Sequence, residues 1–364
     1  MMVANWQILV AIWQHRGPPQ GPSWGRAVFA SSQAREVTHE VTITRVRTAL
    51  DHAARSEPLP PGAGPAYPVA GPVTLQECRD GSPVFTALLV DAAGRAGLDQ
   101  RDLRVRVLLQ LPRVASTAGR VTASQIEREL QRCGEQLTKD VAASRASVPR
   151  DKFGLGELVV TDRADSVAAG QIFAFLHYLR NDRPGARYFA LLDPAQGLPV
   201  TICAVAPLEW PRIGRWIRQQ FDVPPDRVRD VARVYSCPTA PPNAVSFLLA
   251  KVRQQLAREK AADLLMTAVD PNLGFTGASY RAANWQRWFA IQPRPYLYSD
   301  GQYVSPRQLR QRFGTSSLAE LRVRYPRRRF EQSRTRLLDS LIFGCPVGRE
   351  MNPRDPLPTQ PLHR

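Results

Sequence analysis

From about residue 155 onward the hydrophobic positions switch repeatedly between a period of two and a period near 3.6, which predicts strands interleaved with helices. Residues 157–161 read as a strand. Residues 166–180 carry Ile172, Phe175, Leu176 and Leu179 on one face and predict an amphipathic helix. Residues 188–192 and 200–205 flank a turn at Gln196-Gly197, the pattern of a hairpin. Pro211–Phe221 follows as a helix and 228–234 as a strand. In 243–259 the apolar residues Val245, Leu248, Leu249, Val252 and Leu256 keep the spacing of a helix with a core face. Leu264–Val269 is an apolar strand. Tyrosine-rich extended residues (296–303) and two short helices, Pro306–Phe313 and 317–325, complete the pattern. The order is β-α-β-β-α-β-α-β-α, with no internal repeat.

The pattern upstream divides the chain further. Residues 56–72 (SEPLPPGAGPAYPVAGP) are too rich in Pro and Gly for a helix or a sheet and read as a linker, so 1–72 is expected to be a poorly ordered leader. Residues 73–152 look like a small accessory module. They hold strand-like runs at 85–90 and 105–111 and a helix at 122–141, with Thr122 and Ser124 as candidate caps. Residues 153–330 form the expected catalytic domain, and 331–364 a basic C-terminal tail. The fold class expected is α/β (α+β), a mixed sheet flanked by helices.

Composition narrows the setting. No run of eighteen apolar residues occurs, and the apolar opening at 6–13 (WQILVAIW) is too short to span a bilayer and lacks a signal-peptide pattern, so a cytoplasmic protein without a membrane partner is expected. Cys78, Cys133, Cys203, Cys237 and Cys345 are scattered without a C-x-x-C pair, which predicts reduced thiols and no metal site. Forty-nine Lys and Arg against 32 Asp and Glu leave a net charge of +17, suited to a polyanion such as nucleic acid, although an Arg- and Pro-rich genome would also contribute. Between Tyr303 and Arg336 lie ten arginines and only Glu320 and Glu331 as acids, interleaved with aromatics. Arg327, Arg328 and Arg329 within that stretch are candidate phosphate contacts, and a solvated basic face is the alternative.

Chemistry concentrates in 264–285, LLMTAVDPNLGFTGASYRAANW. An apolar strand delivers Asp270 at its carboxyl end, and a glycine-containing turn then delivers Tyr280 and Asn284, with Arg281 and Trp285 on the neighbouring face. A phenol and an amide four residues apart can orient a carbonyl or a purine edge; plain packing of Tyr280 is the alternative. His177 is the sole histidine of the expected catalytic domain and sits beside Tyr178 at a helix end, where it serves either as a dipole partner or as a base. Arg233 precedes a strand-to-helix junction, CPTAPPNAVS, at which Asn243 and Ser246 stand at a helix start able to hold an anion, unless Asn243 is only the cap. Neither G-x-x-x-x-G-K-S/T nor G-x-G-x-x-G occurs, which argues against a P-loop or dinucleotide enzyme.

On these residues the order of elements resembles the GNAT acyltransferase fold. The segment from about Leu158 to Gly314 resembles the Mom family of phage-encoded DNA modification proteins through His177-Tyr178, Arg233 ahead of Pro242-Asn243-x-x-Ser246, Asp270, and G-x-x-YRAANW from Gly277 to Trp285. The VDP…FTG…YRAANW string is also similar to an uncharacterised family of Druantia anti-phage loci. The Mom resemblance implies transfer of a small acyl or carbamoylmethyl-type group to the adenine exocyclic amine of DNA, flipped out or single-stranded, in a bacterial or phage-infected cell, protecting that DNA from restriction. It implies Asp270 or His177 as base, Tyr280 as acid or adenine anchor, and Tyr178 and Ser246 near the reacting centre. Arg233, Asn243 and Ser246 would hold an acetyl-CoA-type donor; Asn284, Arg281 and Arg327 to Arg329 would hold DNA. Ordinary acyl-CoA-binding members carry Q/R-x-x-G-x-G/A where this chain has CPTAPPNAVS. The alternatives are a non-catalytic DNA-binding protein on the same scaffold, and an N-acyltransferase acting on a small amine or aminoacyl-tRNA.

Overall fold

Helix caps decide the structure of the segment that follows the linker. The computed structural model describes residues 71–348, 351, 353 and 354; the expected leader lies outside the described residues. Residues 73–147 form a helical bundle with one short antiparallel ribbon, β1 (Val73–Thr74) paired with β2 (Arg120–Val121). Its helices are α1 (Leu75–Asp80), α2 (Pro83–Ala96), α3 (Gln100–Val114) and α4 (Ala123–Ala143). The runs at 85–90 and 105–111, expected as strands, lie inside α2 and α3. Ser82 caps α2 by accepting from the Phe85 N–H, Asp99 caps α3 by accepting from the Asp102 N–H, and Gly97 ends α2 at a φ of 62°. The apolar runs misled because α3 is buried almost all round from Leu103 to Pro112, so it shows no polar stripe. Thr122 caps α4 through a capping box with Gln125, as its sequence indicates.

The larger part is a seven-stranded mixed sheet. Its strands are β3 (Val159–Thr161), β4 (Arg187–Leu192), β5 (Pro199–Pro207), β6 (Val228–Ser236), β7 (Leu264–Val269), β8 (Gln286–Ile291) and β12 (Ser340–Pro346), in the order β3-β4-β5-β6-β7-β12-β8. Pairing is antiparallel except between β6 and β7. Helix α5 (Ser166–Gln171) crosses from β3 to β4, α6 (Pro211–Phe221) lies between β5 and β6, α7 (Ala244–Arg258) joins β6 to β7, and α8 (Ala278–Ala282) joins β7 to β8. This is the mixed sheet flanked by helices that the element order indicates. The apolar stripe of α7 packs with Leu265, Phe343 and Cys345 on one face, while Ile213, Ile217 and Phe221 of α6 pack with Met266, Trp288 and Ile342 on the other.

Residues 297–332 form a satellite: β9 (Leu297–Ser299), β10 (Gln302–Val304), α9 (Pro306–Phe313), α10 (Leu318–Arg324) and β11 (Phe330–Gln332), closed over Val304, Leu309, Leu321 and Phe330. The following residues correct a second expectation. Ser340–Pro346, assigned from sequence to the basic tail, is strand β12 between β7 and β8. The strand is apolar and fully enclosed, and a single short strand far from its neighbours in sequence has no local signal beyond SLIFGCP.

All five cysteines are buried and unpaired, and among the described residues no helix is long and apolar enough to cross a membrane. Gly344 on β12 lies under the Trp288 ring, where an added Cβ would come within 2.3 Å of the indole. Gly344→Ala is therefore expected to destabilise the fold by about 2 kcal/mol, the range of core overpacking, read as a lower urea midpoint with an unchanged slope.

Candidate active site

The parallel pairing of β6 with β7 lasts three residues, Val228 with Leu264, Arg229 with Leu265 and Asp230 with Met266, and then stops. Beyond that point β6 carries an extra residue relative to β5, because Val205 pairs with Val231 and Ala204 with Arg233. A bulge of this kind bends the strand and re-aims its side chains. A cleft of about 860 Å³ opens here, lined by Asp230 to Arg233 of β6, Asp270 after β7, and residues flanking β4, α6, β8 and α9. Seven arginines and three acids line it (Glu209, Asp230 and Asp270), together with the aromatic rings of Tyr178, Trp210, Tyr296 and Tyr303.

Asp230 is the chemically distinctive group. Burial pushes its carboxyl up from an ordinary 3.8 to about 6, against the opposing charges of Arg183 and Arg233. A buried carboxyl titrating near neutrality in a cleft has the properties of a general base. The sequence reading missed it, because in VRDVARV it alternates like any polar strand residue. The signal available was a single acid among the valines and arginines of the strand.

Tyr178 is brought into the cleft by the way the helix before it ends. After α5 the chain forms a π-turn over Ile172–Leu176, in which the His177 N–H reaches back to the Ile172 carbonyl. Tyr178 stacks between His177, at 4.4 Å, and Phe275, at 5.6 Å between centroids. Burial first, and the Asp270 charge next, push its phenol far above the usual range, so it keeps its proton. His177 itself is buried outside the cleft. Its Nδ1 accepts from the Leu179 N–H at 3.3 Å, and burial together with Arg233 and Arg106 drives its pKa well below the ordinary value, leaving a neutral ring.

Asp270 lines the cleft with both oxygens engaged. Oδ1 accepts from the Asn272 N–H and Nδ2 at 2.9 and 2.8 Å, and Oδ2 accepts from the Tyr296 hydroxyl. Asn272 in turn binds the Leu338 carbonyl and N–H, so Asp270 ties the end of β7 to the entry of β12. Arg233 lines the cleft with its Nη1 on the Ala232 carbonyl and its buried Nε without a hydrogen-bond partner.

Tyr280 and Ser246 approach from the opposite face. Tyr280 packs on Phe343 and Trp285, and its hydroxyl lies 3.5 Å from Thr267 Oγ1. Thr267 has one proton, and it goes to the Val231 carbonyl at 2.9 Å. The Tyr280 hydroxyl thus stands behind the opened strand pair, across the sheet from Asp230. Ser246 donates to the Asn243 carbonyl in the first turn of α7, and Asn243 is held at a φ of 65° with no side-chain cap bond. Arg281, Asn284 and Arg327 to Arg329 are exposed and do not line the cleft. Arg281 holds the Thr276 carbonyl, and Arg328 lies over the Phe313 ring.

The start of α7 does not fit the glycine-rich cradle of an acyl-CoA pyrophosphate. Residues 237–243 hold three prolines, which lack an N–H, and no glycine. The Ala240 and Ala244 N–H groups already serve Cys237 and Pro241, and the Ser236 carbonyl accepts from Arg101 of α3.

Among solved structures the chain is similar to nourseothricin acetyltransferase, at 15% identity over 46% of this chain and 68% of that one, with a TM-score of 0.25. It is also similar to an N-acetyltransferase from Staphylococcus aureus Mu50, at 11% identity over 44% and 68%, with a TM-score of 0.25. No family model and no curated protein matches the chain. The α/β class, a mixed sheet flanked by helices, rests on the order and direction of the strands themselves.

The raised carboxyl of Asp230 favours the fold below pH 3.8, and that contribution is lost as pH rises through about 6. Asp230→Asn is accordingly expected to melt a few degrees above the parent at pH 8, with the gap narrower at pH 5 and closed only below pH 3.8. Thermal unfolding at the two pH values checks this, and a lower melting point at pH 8 contradicts it.

Proposed function

We propose that this chain is a GNAT-like group-transfer enzyme that places a small acyl-type group on an amino group of a nucleic acid, the adenine exocyclic amine being the acceptor. The observation that carries the reading is the opened β6–β7 pair with Asp230 at its mouth, in a cleft dominated by arginine and aromatic rings. Arginines neutralise phosphates, and tyrosine and tryptophan faces stack on a base taken out of the helix. The net charge of +17 and the exposed Arg327, Arg328 and Arg329 suit a longer polyanion tracking past the cleft.

An adenine amine is unprotonated at neutral pH and weakly nucleophilic. As its nitrogen bonds the acyl carbon of an activated donor, Asp230 takes the proton that the nitrogen sheds. Arg233, beside Asp230 and Tyr178, stabilises the negative charge that develops on the acyl oxygen. Tyr178, which keeps its proton, donates to the leaving group. Asp270 acts through Tyr296, fixing that ring as one wall for the base. Tyr280 supports the opened strand from behind through Thr267. The donor is defined only as an activated acyl compound, because the start of α7 lacks the glycine cradle.

Nucleosides from DNA of cells expressing the chain are expected to include an adenosine of increased mass, absent with Asp230→Asn and reduced by Tyr178→Phe; unmodified adenosine in the parent sinks the reading. Neutralising Arg327, Arg328 and Arg329 together should weaken DNA binding and lower the salt slope by about 2 to 3, in fluorescence anisotropy titrations at several salt concentrations.

A further inference from the structure

Glu209 occupies an unusual place among the charged groups of the cleft. It precedes α6, yet its Oε2 reaches Arg183 Nη1 at 2.8 Å and Arg307 Nη1 at 3.6 Å. Arg183 lies just before β4 and Arg307 in the first turn of α9, so one carboxylate oxygen is shared by two guanidinium groups from separate segments. The two sides of the principal pair differ sharply in exposure. The Arg183 side chain is 7% exposed and that of Glu209 59%. A buried guanidinium cannot shed its proton and requires an anion. A solvent-reaching carboxylate supplies that anion in a form that can leave.

Two further donors at this spot are unused. Arg183 Nε is buried with no hydrogen-bond partner, and so is Asn181 Nδ2; both residues line the cleft. A carboxylate contacting one Nη1 leaves that capacity idle, whereas a phosphate, with more acceptor oxygens, matches several donors of a guanidinium at once. Arg183 also acts electrostatically on Asp230, so an anion bound to it lies close to the proposed base.

We propose that Arg183, Arg307 and Asn181 form a phosphate subsite of the cleft, and that the Glu209 carboxylate fills it until an anionic substrate displaces it. The subsite deepens the nucleic-acid reading, on which its identification with a nucleotide phosphate rests. Glu209 then acts as an internal competitor. It keeps Arg183 paired in the free protein and raises the threshold for weak anions, while a nucleotide phosphate, held by more donors, displaces it.

The test compares the parent with Glu209→Gln and Arg307→Ala. Isothermal titration at low salt uses two probes, AMP and a twelve-nucleotide single strand, with a melting curve for each variant. Glu209→Gln is expected to bind AMP about three- to tenfold more tightly than the parent, and Arg307→Ala several-fold more weakly. A plain structural brace predicts instead a lower melting point with AMP affinity unchanged or reduced in Glu209→Gln; that result, or no AMP binding by any of the proteins, overturns the subsite. If AMP affinity follows the expected order but the oligonucleotide does not bind, the subsite stands and the nucleic-acid reading falls. If the oligonucleotide binds the parent while AMP affinity is the same in all three proteins, the subsite falls and the nucleic-acid reading survives.

Discussion

The cleft exists because two parallel strands stop pairing after Asp230 and Met266. Everything chemically useful follows from that interruption. A sheet that stayed zipped would bury the β6 edge in hydrogen bonds and leave no space between its faces. Once β6 bends away, its main-chain groups need other partners, and they find them locally. Thr267 supplies a hydroxyl to the Val231 carbonyl, and Arg233 turns back onto Ala232. These substitutions for ladder bonds make the opening a stable feature of the sheet.

The same interruption sets the electrostatics. Asp230 is the last residue of β6 paired with β7, so it is buried by the sheet yet faces the cleft. Its carboxyl is poised by desolvation, while the arginines around it limit how far it rises. Opposite it, three phenols of the cleft, Tyr178, Tyr296 and Tyr303, surround a space whose polar wall is cationic. Asp270 is spent on geometry, holding Tyr296 and, through Asn272, the entry to β12.

Legibility in sequence followed the locality of each signal. The stripe of α7 and the apolar run of β7 are local patterns, and both are where the sequence puts them. Helix α3 is buried on too many sides to display helical periodicity, and in α2 the short apolar run at 85–90 masks a single buried stripe of Phe85, Leu88, Leu89 and Ala93, so both runs read as strands. Strand β12 pairs with β8 and β7, far upstream in the chain, and SLIFGCP alone does not announce them. The site shows the same division. Asp270 and Tyr178 stand just past element ends, which sequence can locate, and with Arg233 of β6 they line the cleft. Asp230 owes its character to where β6 and β7 part, a property of pairing that no stretch of sequence carries. His177 looked chemical by type, but its surroundings make it a neutral packing group.

The N-terminal bundle holds the rest of the fold through main chain as well as through side-chain pairs such as Tyr235 with Asp102 and Arg180 with Asp140. Arg101 holds the carbonyl of Ser236, Arg106 that of Phe175 and Arg132 that of Gly301, while Tyr298 reaches the Leu109 carbonyl. Every residue offers the same carbonyl, whatever its side chain. At Phe175 and Ser236 the side chain can therefore change without removing the bond to the bundle, whereas Gly301, at a φ of 77°, has no room for a Cβ beside Arg132. Docking at these carbonyls is indifferent to side-chain identity, so variation at Phe175 or Ser236 leaves that part of the frame in place.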